Sequence, residues 1–461
     1  MNTYSPPRDQ TLPQLPIALN ACTMREVFQK NLFDHSRPHS SADRYSIRDC
    51  EIERIKYKPG KNCLILYRVG ICDSKNQNVI QQRLCTRIYE PGGAQARFLK
   101  AALQTNSPSR DVNPLHHIPA LDMVIWTFPN ERKLLTLPKI VHASYLERNI
   151  LPDLIENNFG KNWLWESYRH QIIHYVPEHT CTVKLNVQLQ DKIYGYRRSL
   201  TIYGKTYYND EGVCTHKNMA DFWQSMARKQ DQLLIARPLG YDKKLKTLWQ
   251  QSVPGAPLQS YDVTGKPFLS LMAQAGIALA KFHTVSIKNK KRLVIYDIQQ
   301  KLLRVKNDFD RCQSLSANLT KLIQTLLQKI ETVNMLPEVT LHGDVHLKNF
   351  LAHKGRVAII DMDNICRGPA FADLGSFVAT LYHRGLIENV ALEKIKRAAN
   401  TFLKFYQYNV YWKVDEGELA FWISLALVQE RVSRSLTRLK KGRFEIVQQL
   451  IELASSDDLL A

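Results

Sequence analysis

Two short apolar segments, each followed directly by polar residues, constrain this chain more than any other feature. The first, residues 339–341, leads through His342 and a glycine to Asp344, and Asn349 follows five residues after that aspartate. An apolar run that stops at polar residues is typical of a buried strand that ends in a loop. We therefore expect these three polar side chains to share one loop.

The second segment, residues 357–360, follows a Lys-Gly pair that is typical of a hairpin turn, and it ends at Asp361 and Asp363. Phosphoryl transfer requires one group that accepts the proton of a hydroxyl and hard oxygen ligands that hold Mg²⁺ against the phosphates. A carboxylate and an amide on one loop, with carboxylates after a hairpin, can supply these groups. The two segments are therefore compatible with phosphoryl transfer.

The order of these residues also matches a known pattern. The series His-Gly-Asp-x-His-x-x-Asn at residues 342–349, followed by Ile-Asp-x-Asp at residues 360–363, resembles the catalytic and metal loops of the aminoglycoside phosphotransferase and choline kinase-like families. Five fixed residues in the first series would arise by chance in a chain of this size roughly once in ten thousand times. Residues 368–375 continue the resemblance, because they are similar to the Gly-x-x-x-x-Asp-Leu segment that follows the metal loop in this family.

This resemblance implies an α+β, bilobal protein-kinase-like fold, with a small β-rich N-lobe and a larger, mostly helical C-lobe. It implies ATP and Mg²⁺ as cofactors and transfer of the γ-phosphate to a hydroxyl or amine of a small molecule. The chain would then be a small-molecule kinase. No Ala-Pro-Glu motif or long activation segment follows Asp361, so we do not expect a protein kinase.

The resemblance also implies roles for residues of the two loops. Asp344 would be the catalytic residue that receives the proton of the acceptor hydroxyl and positions the acceptor. Asn349 and Asp361 would bind Mg²⁺. Asp363 would assist with a second ion, and a loop-capping carboxylate is its alternative role.

Three further residues, His342, His346 and Asp373, are expected to support the site rather than to react. His342 would brace the loop through hydrogen bonds, and Asp373 would tie the C-lobe to the catalytic loop. The two histidines also stand four residues apart, as zinc ligands on a helix do. Gly343 would interrupt a helix there, and no third ligand lies at a fitting spacing, so we do not expect zinc.

A segment upstream of these loops occurs twice in the chain. Residues 57–69 match residues 175–187 in a Tyr, a Pro, a Cys and a closing Val at one offset. Further on, residues 124–129 resemble residues 249–254. A repeat of this size indicates duplication of a small α+β domain, and chance similarity between two β-rich segments is the alternative.

The matched position in the third strand differs between the two copies. The second copy directly precedes the catalytic pattern, so the resemblance places Lys205 where the family has the lysine that grips the nucleotide phosphates. A solvated surface lysine is the alternative. The first copy has Arg87 there, and because a planar guanidinium fork does not replace a compact ammonium, we expect the first copy to be a non-catalytic lobe.

One departure from the family pattern favours an alternative function. The helix-like stretch 218–229 contains no glutamate to pair with Lys205, and Asp221 and Glu211 are the nearest acidic residues. A chain that had lost this ion pair would be a catalytically inactive, kinase-like scaffold or binding protein. The acidic partner of Lys205 therefore bears on which function is correct.

These interpretations divide the 461 residues into five parts, and a chain of this length is expected to contain more than one domain. The parts are an N-terminal tail at 1–45, the first N-lobe-like repeat at 46–140, a connector at 141–167, the nucleotide-binding N-lobe at 168–254 and the helical catalytic C-lobe at 255–461.

Composition adds limits on setting and partners. Nine cysteines without a Cys-x-x-Cys pair favour a reduced, cytoplasmic protein, and we expect neither a signal peptide nor a membrane span. The formal net charge of +20 would suit an anionic small-molecule acceptor, with a solvated surface as the alternative. Nucleic-acid binding would rest on charge alone. The sequence does not specify the acceptor.

Overall fold

The computed structural model describes residues 9–33, 44–103, 113–311, 317–439, 445–456 and 459–460. Two five-stranded antiparallel sheets come first, and a mostly helical region with two small sheets follows. The strands of the first sheet are β1 Tyr45–Lys58, β2 Asn62–Asp73, β3 Val79–Tyr89, β4 Leu115–Ile118 and β5 Met123–Thr127. Those of the second are β6 Trp163–Val176, β7 Thr180–Asp191, β8 Arg197–Tyr207, β10 Pro238–Asp242 and β11 Thr247–Gln251.

The two sheets share one topology. Their strand orders are β1-β2-β3-β5-β4 and β6-β7-β8-β11-β10, so in each sheet the last strand lies between the third strand and the edge. The register also agrees, because Leu64 pairs with Arg87 as Thr182 pairs with Lys205. The duplication expected from the sequence is therefore present in the fold.

The register corrects one detail of the repeat. The sequence comparison aligns Val124 with Trp249, but Val124 pairs with Arg87, and Leu248 pairs with Lys205. Val124 therefore corresponds to Leu248, one residue earlier. A one-residue slip reverses the face to which every side chain of a strand points, so only the observed register identifies matching positions.

Each sheet carries, on one face, helices from the segment that precedes it. On the first sheet Phe28 packs edge-on against Tyr67, with ring centroids 5.0 Å apart, and on the second Leu154 packs with Leu185. The helices are α1 Leu15–Ala18 and α2 Ala21–Asn31 for the first sheet, and α4 Leu137–Ile140, α5 Ala143–Asn149 and α6 Leu151–Phe159 for the second; α3 Ala94–Ala102 follows β3.

The described part of the predicted tail is not a tail. Residues 1–8 and 34–43 lie outside the described residues, but Leu12, Leu15 and Phe28 are fully buried in the core of the first sheet. The Asn20 side chain accepts hydrogen bonds from two backbone N–H groups and so caps the start of α2. The prolines of this segment obscure its apolar spacing in the sequence.

The rest of the chain forms the helical region. Helix α7 Glu211–Gln224 precedes this region. Strand β9 Leu234–Ile235 pairs with β15 Arg356–Ile359, and this pairing connects the segment of the second sheet to the site loops. Its helices are α8 Met226–Lys229, α9 Lys266–His283, α10 Ile295–Arg311, α11 Ala317–Lys329, α12 Ala370–Glu388, α13 Leu392–Gln407, α14 Glu416–Ala426, a π-helical segment Leu427–Val432, α15 Ser433–Arg438 and α16 Val447–Ala454. Its strands are β12 Ala256–Pro257, β13 Glu338–Leu341, β14 Phe350–His353, β15 Arg356–Ile359 and β16 Cys366–Pro369.

Helix α9 packs along α13, and α12 packs on α14, around the largest apolar core of the molecule. Among the helices in the described ranges, none combines the length and the apolar character that crossing a membrane would require.

The first sheet contacts both of the other parts. Its second face, with Leu64 and Trp126, packs against Tyr175 and Cys181 of the second sheet's first hairpin. Its strand β1 lies against α15, and Leu439 at the end of that helix is buried in the first sheet's core. The first sheet therefore joins the second sheet to the helical region.

Candidate active site

The first site loop begins where β13 ends. Leu341 is buried, and the chain then turns through Gly343, whose φ of +75° lies in the left-handed region. A Cβ at this glycine would lie 2.4 Å from the carbonyl oxygen of Asn364. Because no side chain fits there, the glycine of the motif is required for the loop to pass this close to the segment after Asp363.

Asp373 holds this loop through its backbone. Its carboxylate accepts hydrogen bonds from the N–H groups of His342 at 2.6 Å and Gly343 at 3.0 Å. His283 Nε2 lies 3.1 Å from the same carboxylate, and His283 Nδ1 lies 2.8 Å from the hydroxyl of Tyr406. Asp373, His342, His283 and Tyr406 are buried, so this network fixes the loop from the helical core.

Two contacts join the first loop to the hairpin that carries the second. His342 is fully buried, and its Nε2 lies 2.9 Å from the carbonyl oxygen of Ile360. The backbone carbonyl of Asn349 accepts a hydrogen bond from the Ile360 N–H at 2.9 Å, and its side-chain amide donates to the Asp344 carbonyl at 3.0 Å. The loops after β13 and β15 therefore form one rigid unit.

Asp344 faces two groups that can carry positive charge. His346 Nε2 lies 3.5 Å from one carboxylate oxygen, and Arg434 Nη2 lies 3.6 Å from the other. Burial alone would raise the pKa of Asp344, but the hydrogen bond to His346 and the charge of Arg434 outweigh it and hold that pKa well below its usual range. Asp344 is therefore a carboxylate at neutral pH.

Lys205 reaches from the second sheet to both carboxylates of the second loop. Its Nζ lies 2.7 Å from Asp361 Oδ1 and 2.6 Å from Asp363 Oδ2. Burial would lower the pKa of Lys205, but the two carboxylates outweigh it and raise that pKa. Burial would raise the pKa of Asp361, and the Lys205 ammonium instead lowers it. Lys205 and Asp361 are therefore charged at neutral pH.

Helix α7 faces the site with a threonine. Thr215 Oγ1 donates to Asp363 Oδ1 at 3.2 Å, and the hydroxyl of Tyr207 donates to the same oxygen at 2.7 Å. The two acidic residues near this helix are not the observed partners of Lys205. Asp221 accepts a hydrogen bond from the backbone N–H of Lys288 at 3.0 Å, and Glu211 is the first residue of the helix. The observed acidic partners of Lys205 are thus the two aspartates of the second loop.

The second loop has the geometry for a hard cation. Within the described ranges no three His, Cys, Asp or Glu side chains converge as a complete metal site. Mg²⁺ in kinase sites typically takes one or two carboxylates and fills its other positions with phosphate and water. Asp361 and Asp363 already share one cation, the Lys205 ammonium, and Asp361 has a left-handed φ of +68° that is sparsely populated outside glycine. These residues, with Asn349 on the adjoining loop, fit the ion.

The structure brings the predicted residues into two connected groups. Asp344, Asn349 and His346 lie together on the first loop, while Lys205 meets the carboxylates of the second loop across the lobes. His342 and Asp373 lie behind them in the contacts described above.

Three residues near the site were not predicted. Tyr207 is part of the repeated segment, and its position two residues after Lys205 on one strand places both on the same face. Thr215 gives no signal in the sequence. Arg434 stands in a basic stretch that is more simply interpreted as a solvated helix face, with binding of an acidic partner or a phosphorylated substrate as the alternative, and its contact with Asp344 has no signal in the sequence.

Comparison with known proteins found one matching family model. Residues 216–404 match the model of the phosphotransferase enzyme family, APH. The match begins after Lys205, includes both site loops and ends within α13. A comparison with curated proteins found no match.

Comparison with solved structures found several similar chains. Amicoumacin kinase in complex with AMP-PNP, Ca²⁺ and its ligand is 13% identical, over 62% of this chain and 87% of its own, with a TM-score of 0.44. Choline kinase from Cryptosporidium parvum is 10% identical, over 66% and 93%, with a TM-score of 0.45. The aminoglycoside phosphotransferase APH(4)-Ia is 13% identical, over 68% and 98%, with a TM-score of 0.43.

The family model matches the part of the chain that contains both site loops. The resemblance seen in the sequence is confirmed for residues 216–404, the part of this chain that matches the phosphotransferase enzyme family.

Proposed function

We propose that this protein is an ATP- and Mg²⁺-dependent small-molecule kinase that transfers the γ-phosphate to a hydroxyl or amine. The observation that carries the proposal is the convergence of Lys205, from the second sheet, with Asp361 and Asp363 beside the loop of Asp344. A cation, two carboxylates and a separate ionised carboxylate are the groups that phosphoryl transfer uses.

Asp344 is proposed to position the acceptor and receive its proton. Its pKa is held low by His346 and Arg434, so it is a weak base that mainly orients the attacking group. That suits phosphoryl transfer, in which positioning and charge stabilisation dominate.

Lys205 is proposed to bind the nucleotide phosphates. Phosphate oxygens would then replace one or both of its present carboxylate partners. Asp361, Asp363 and Asn349 are the residues that would hold Mg²⁺, which when bound would neutralise charge on the phosphates. Tyr207 and Thr215 would orient Asp363 through their hydrogen bonds.

The acceptor is proposed to carry negative charge. Arg434, which lies 3.6 Å from Asp344, is 43% exposed and can reach a group bound next to that carboxylate. The net charge of +20 would draw such a molecule to the cleft.

We also propose a cytoplasmic location, because all eight cysteines in the described ranges are free thiols.

The domain division is proposed with two changes. Residues 9–33 join the first N-lobe-like repeat, and residues 137–159 join the second sheet, because each forms the helical layer on that sheet. The first repeat is proposed to bind no nucleotide.

The alternative function is an inactive, kinase-like scaffold. Its support is that Lys205 pairs with Asp361 and Asp363, and not with an acidic residue of α7. A measurement of phosphoryl transfer distinguishes the kinase from the scaffold.

The test is transfer of labelled γ-phosphate from ATP to a pooled panel of metabolites, with Mg²⁺. We expect a labelled product from the wild type and a loss of about hundredfold to ten-thousandfold in rate for Asp344→Asn. Asp231→Asn is the matched control, because Asp231 pairs with Arg356 at the surface. Equal rates in wild type and Asp344→Asn, or no product from a folded wild type across the panel, would favour the scaffold.

A further inference from the structure

The turn between β6 and β7 stands where a protein kinase has its glycine-rich phosphate loop, but this turn carries no glycine. Glu178 occupies its left-handed position with a φ of +59°. The matching position of the first sheet is Gly60, with a φ of +65°. A glutamate in this conformation is unfavourable by itself, so other contacts hold the turn.

Those contacts come from the first sheet and the segment after it. Arg87 Nη2 lies 2.5 Å from Glu178 Oε2, and Arg132 donates from Nε and Nη2 to the two carboxylate oxygens at 2.7 Å each. Both partners of the Arg87 pair are about nine-tenths buried. Burial would raise the pKa of Glu178, but the two guanidinium groups outweigh it and lower that pKa. The carboxylate is therefore charged and doubly paired.

Glu131 holds the backbone of the same turn. Its carboxylate accepts a hydrogen bond from the Glu178 N–H at 2.7 Å and one from the Tyr175 hydroxyl at 3.3 Å. Tyr175 also packs edge-on against Phe128, with ring centroids 5.0 Å apart. Side chain and backbone of the turn are thus both bound to elements outside the second sheet.

The turn lies at the end of the sheet that faces the site. Thr180, just after the turn, pairs with Tyr207, whose hydroxyl donates to Asp363. The charged groups around His179, the residue after Glu178, include Glu211, Lys205 and Asp363. Glu178 thus contacts the first sheet, while its neighbour belongs to the surroundings of the phosphate-binding lysine.

We propose that the first sheet is a built-in clamp that holds the β6–β7 turn in its nucleotide-binding conformation, with Arg87 as a positioning residue. This inference rests on the proposed function. The apparent affinity for a ligand is proportional to the fraction of molecules that already have the binding conformation. A turn that is ordered before binding therefore gives a higher apparent affinity for the nucleotide. Arg87 thereby acts on the nucleotide through Glu178, without touching it.

The test is ATP-Mg²⁺ affinity by calorimetry on the full chain, with Arg87→Met beside Arg83→Met. Arg83 is the matched control, since it lies on the same strand and pairs with Glu53 at the surface. We expect about tenfold weaker binding for Arg87→Met and no change for Arg83→Met. Glu178→Gln should weaken binding similarly, the double variant should be no weaker than either single variant, and Arg87→Lys should be intermediate.

Hydrogen exchange of the Glu178 amide, without nucleotide, separates this inference from the proposed function. The amide should be protected in wild type and Arg83→Met, and should exchange faster in Arg87→Met. Unchanged exchange, or unchanged ATP affinity in folded Arg87→Met, would overturn the clamp while leaving the kinase proposal intact. A wild type that binds no nucleotide would overturn both proposals.

Discussion

The two sheets share strand order and register but use one matched position in different ways. Arg87 on the first sheet binds Glu178 of the second sheet, whereas Lys205 on the second sheet binds Asp361 and Asp363 of the helical region. Both cations reach to the next unit along the chain. The residues at a duplicated position can therefore both contact the next unit along the chain while their side chains differ in type.

The faces around these two cations explain the difference. Leu64 pairs with Arg87 across the strands, and it packs in a core that includes Tyr175 and Cys181 of the second sheet. The corresponding face around Lys205 includes Leu248, which packs into the core of the helical region. In the first sheet this face packs against the second sheet, which supports the proposal that the first repeat binds no nucleotide.

The largest expected effect is at Lys205. Lys205→Arg gives the second sheet the same residue type that the first sheet has at Arg87. The planar, forked guanidinium does not fit the position of the Lys205 ammonium, which lies between the carboxylates of Asp361 and Asp363. We expect Lys205→Arg to reduce the rate of phosphoryl transfer by about hundredfold to thousandfold. The measurement is single-turnover transfer from ATP, once an acceptor is known. A rate within threefold of wild type, roughly 0.6 kcal/mol, would show that the type of cation is unimportant.

The matching change at the partner of Arg87, which lies in the β6–β7 turn of the second sheet, acts on stability. Glu178→Gln removes the charge that pairs with Arg87 and Arg132, and we expect it to lower the free energy of unfolding by about 2 kcal/mol at neutral pH. The pKa of Glu178 is lowered in the folded protein, so its contribution is present above the ordinary value of 4.5 and is lost as the pH falls through the folded value. The difference between variant and wild type should therefore shrink below about pH 4.5.

Denaturant unfolding at several pH values measures this difference. Glu53→Gln is the control, because Glu53 pairs with Arg83 near the surface, and it should cost less than about 1 kcal/mol at any pH. A Glu178→Gln difference that stays constant into acid would contradict the ion-pair explanation.

The sequence predicted the positions of the two site loops better than the contacts between domains. Asp344, Asn349 and Asp361 could be found because a strand, a glycine turn and a hairpin place them at fixed spacing. The partners of Lys205 lie 156 and 158 residues further along the chain, so they depend on how the lobes pack. The packing of residues 9–33 on the first sheet was missed because their buried face is visible only against that sheet.

The pair of Arg87 and Glu178 was missed for a similar reason. Each residue alone is an ordinary charged side chain, and the left-handed φ of Glu178 has no sequence signal without a glycine. The repeat identified Arg87 as the counterpart of Lys205. Only the packing of one sheet on the other showed that its partner is a residue of the second copy.

We propose that two similar sheets provide one nucleotide site, at Lys205. The most direct measurement is the stoichiometry of ATP-Mg²⁺ binding by calorimetry in wild type, Lys205→Met and Arg87→Met. We expect one site per chain in wild type, loss of measurable binding in Lys205→Met, and a single weaker site in Arg87→Met. Two sites in wild type, or binding that survives in Lys205→Met and disappears in Arg87→Met, would contradict the claim.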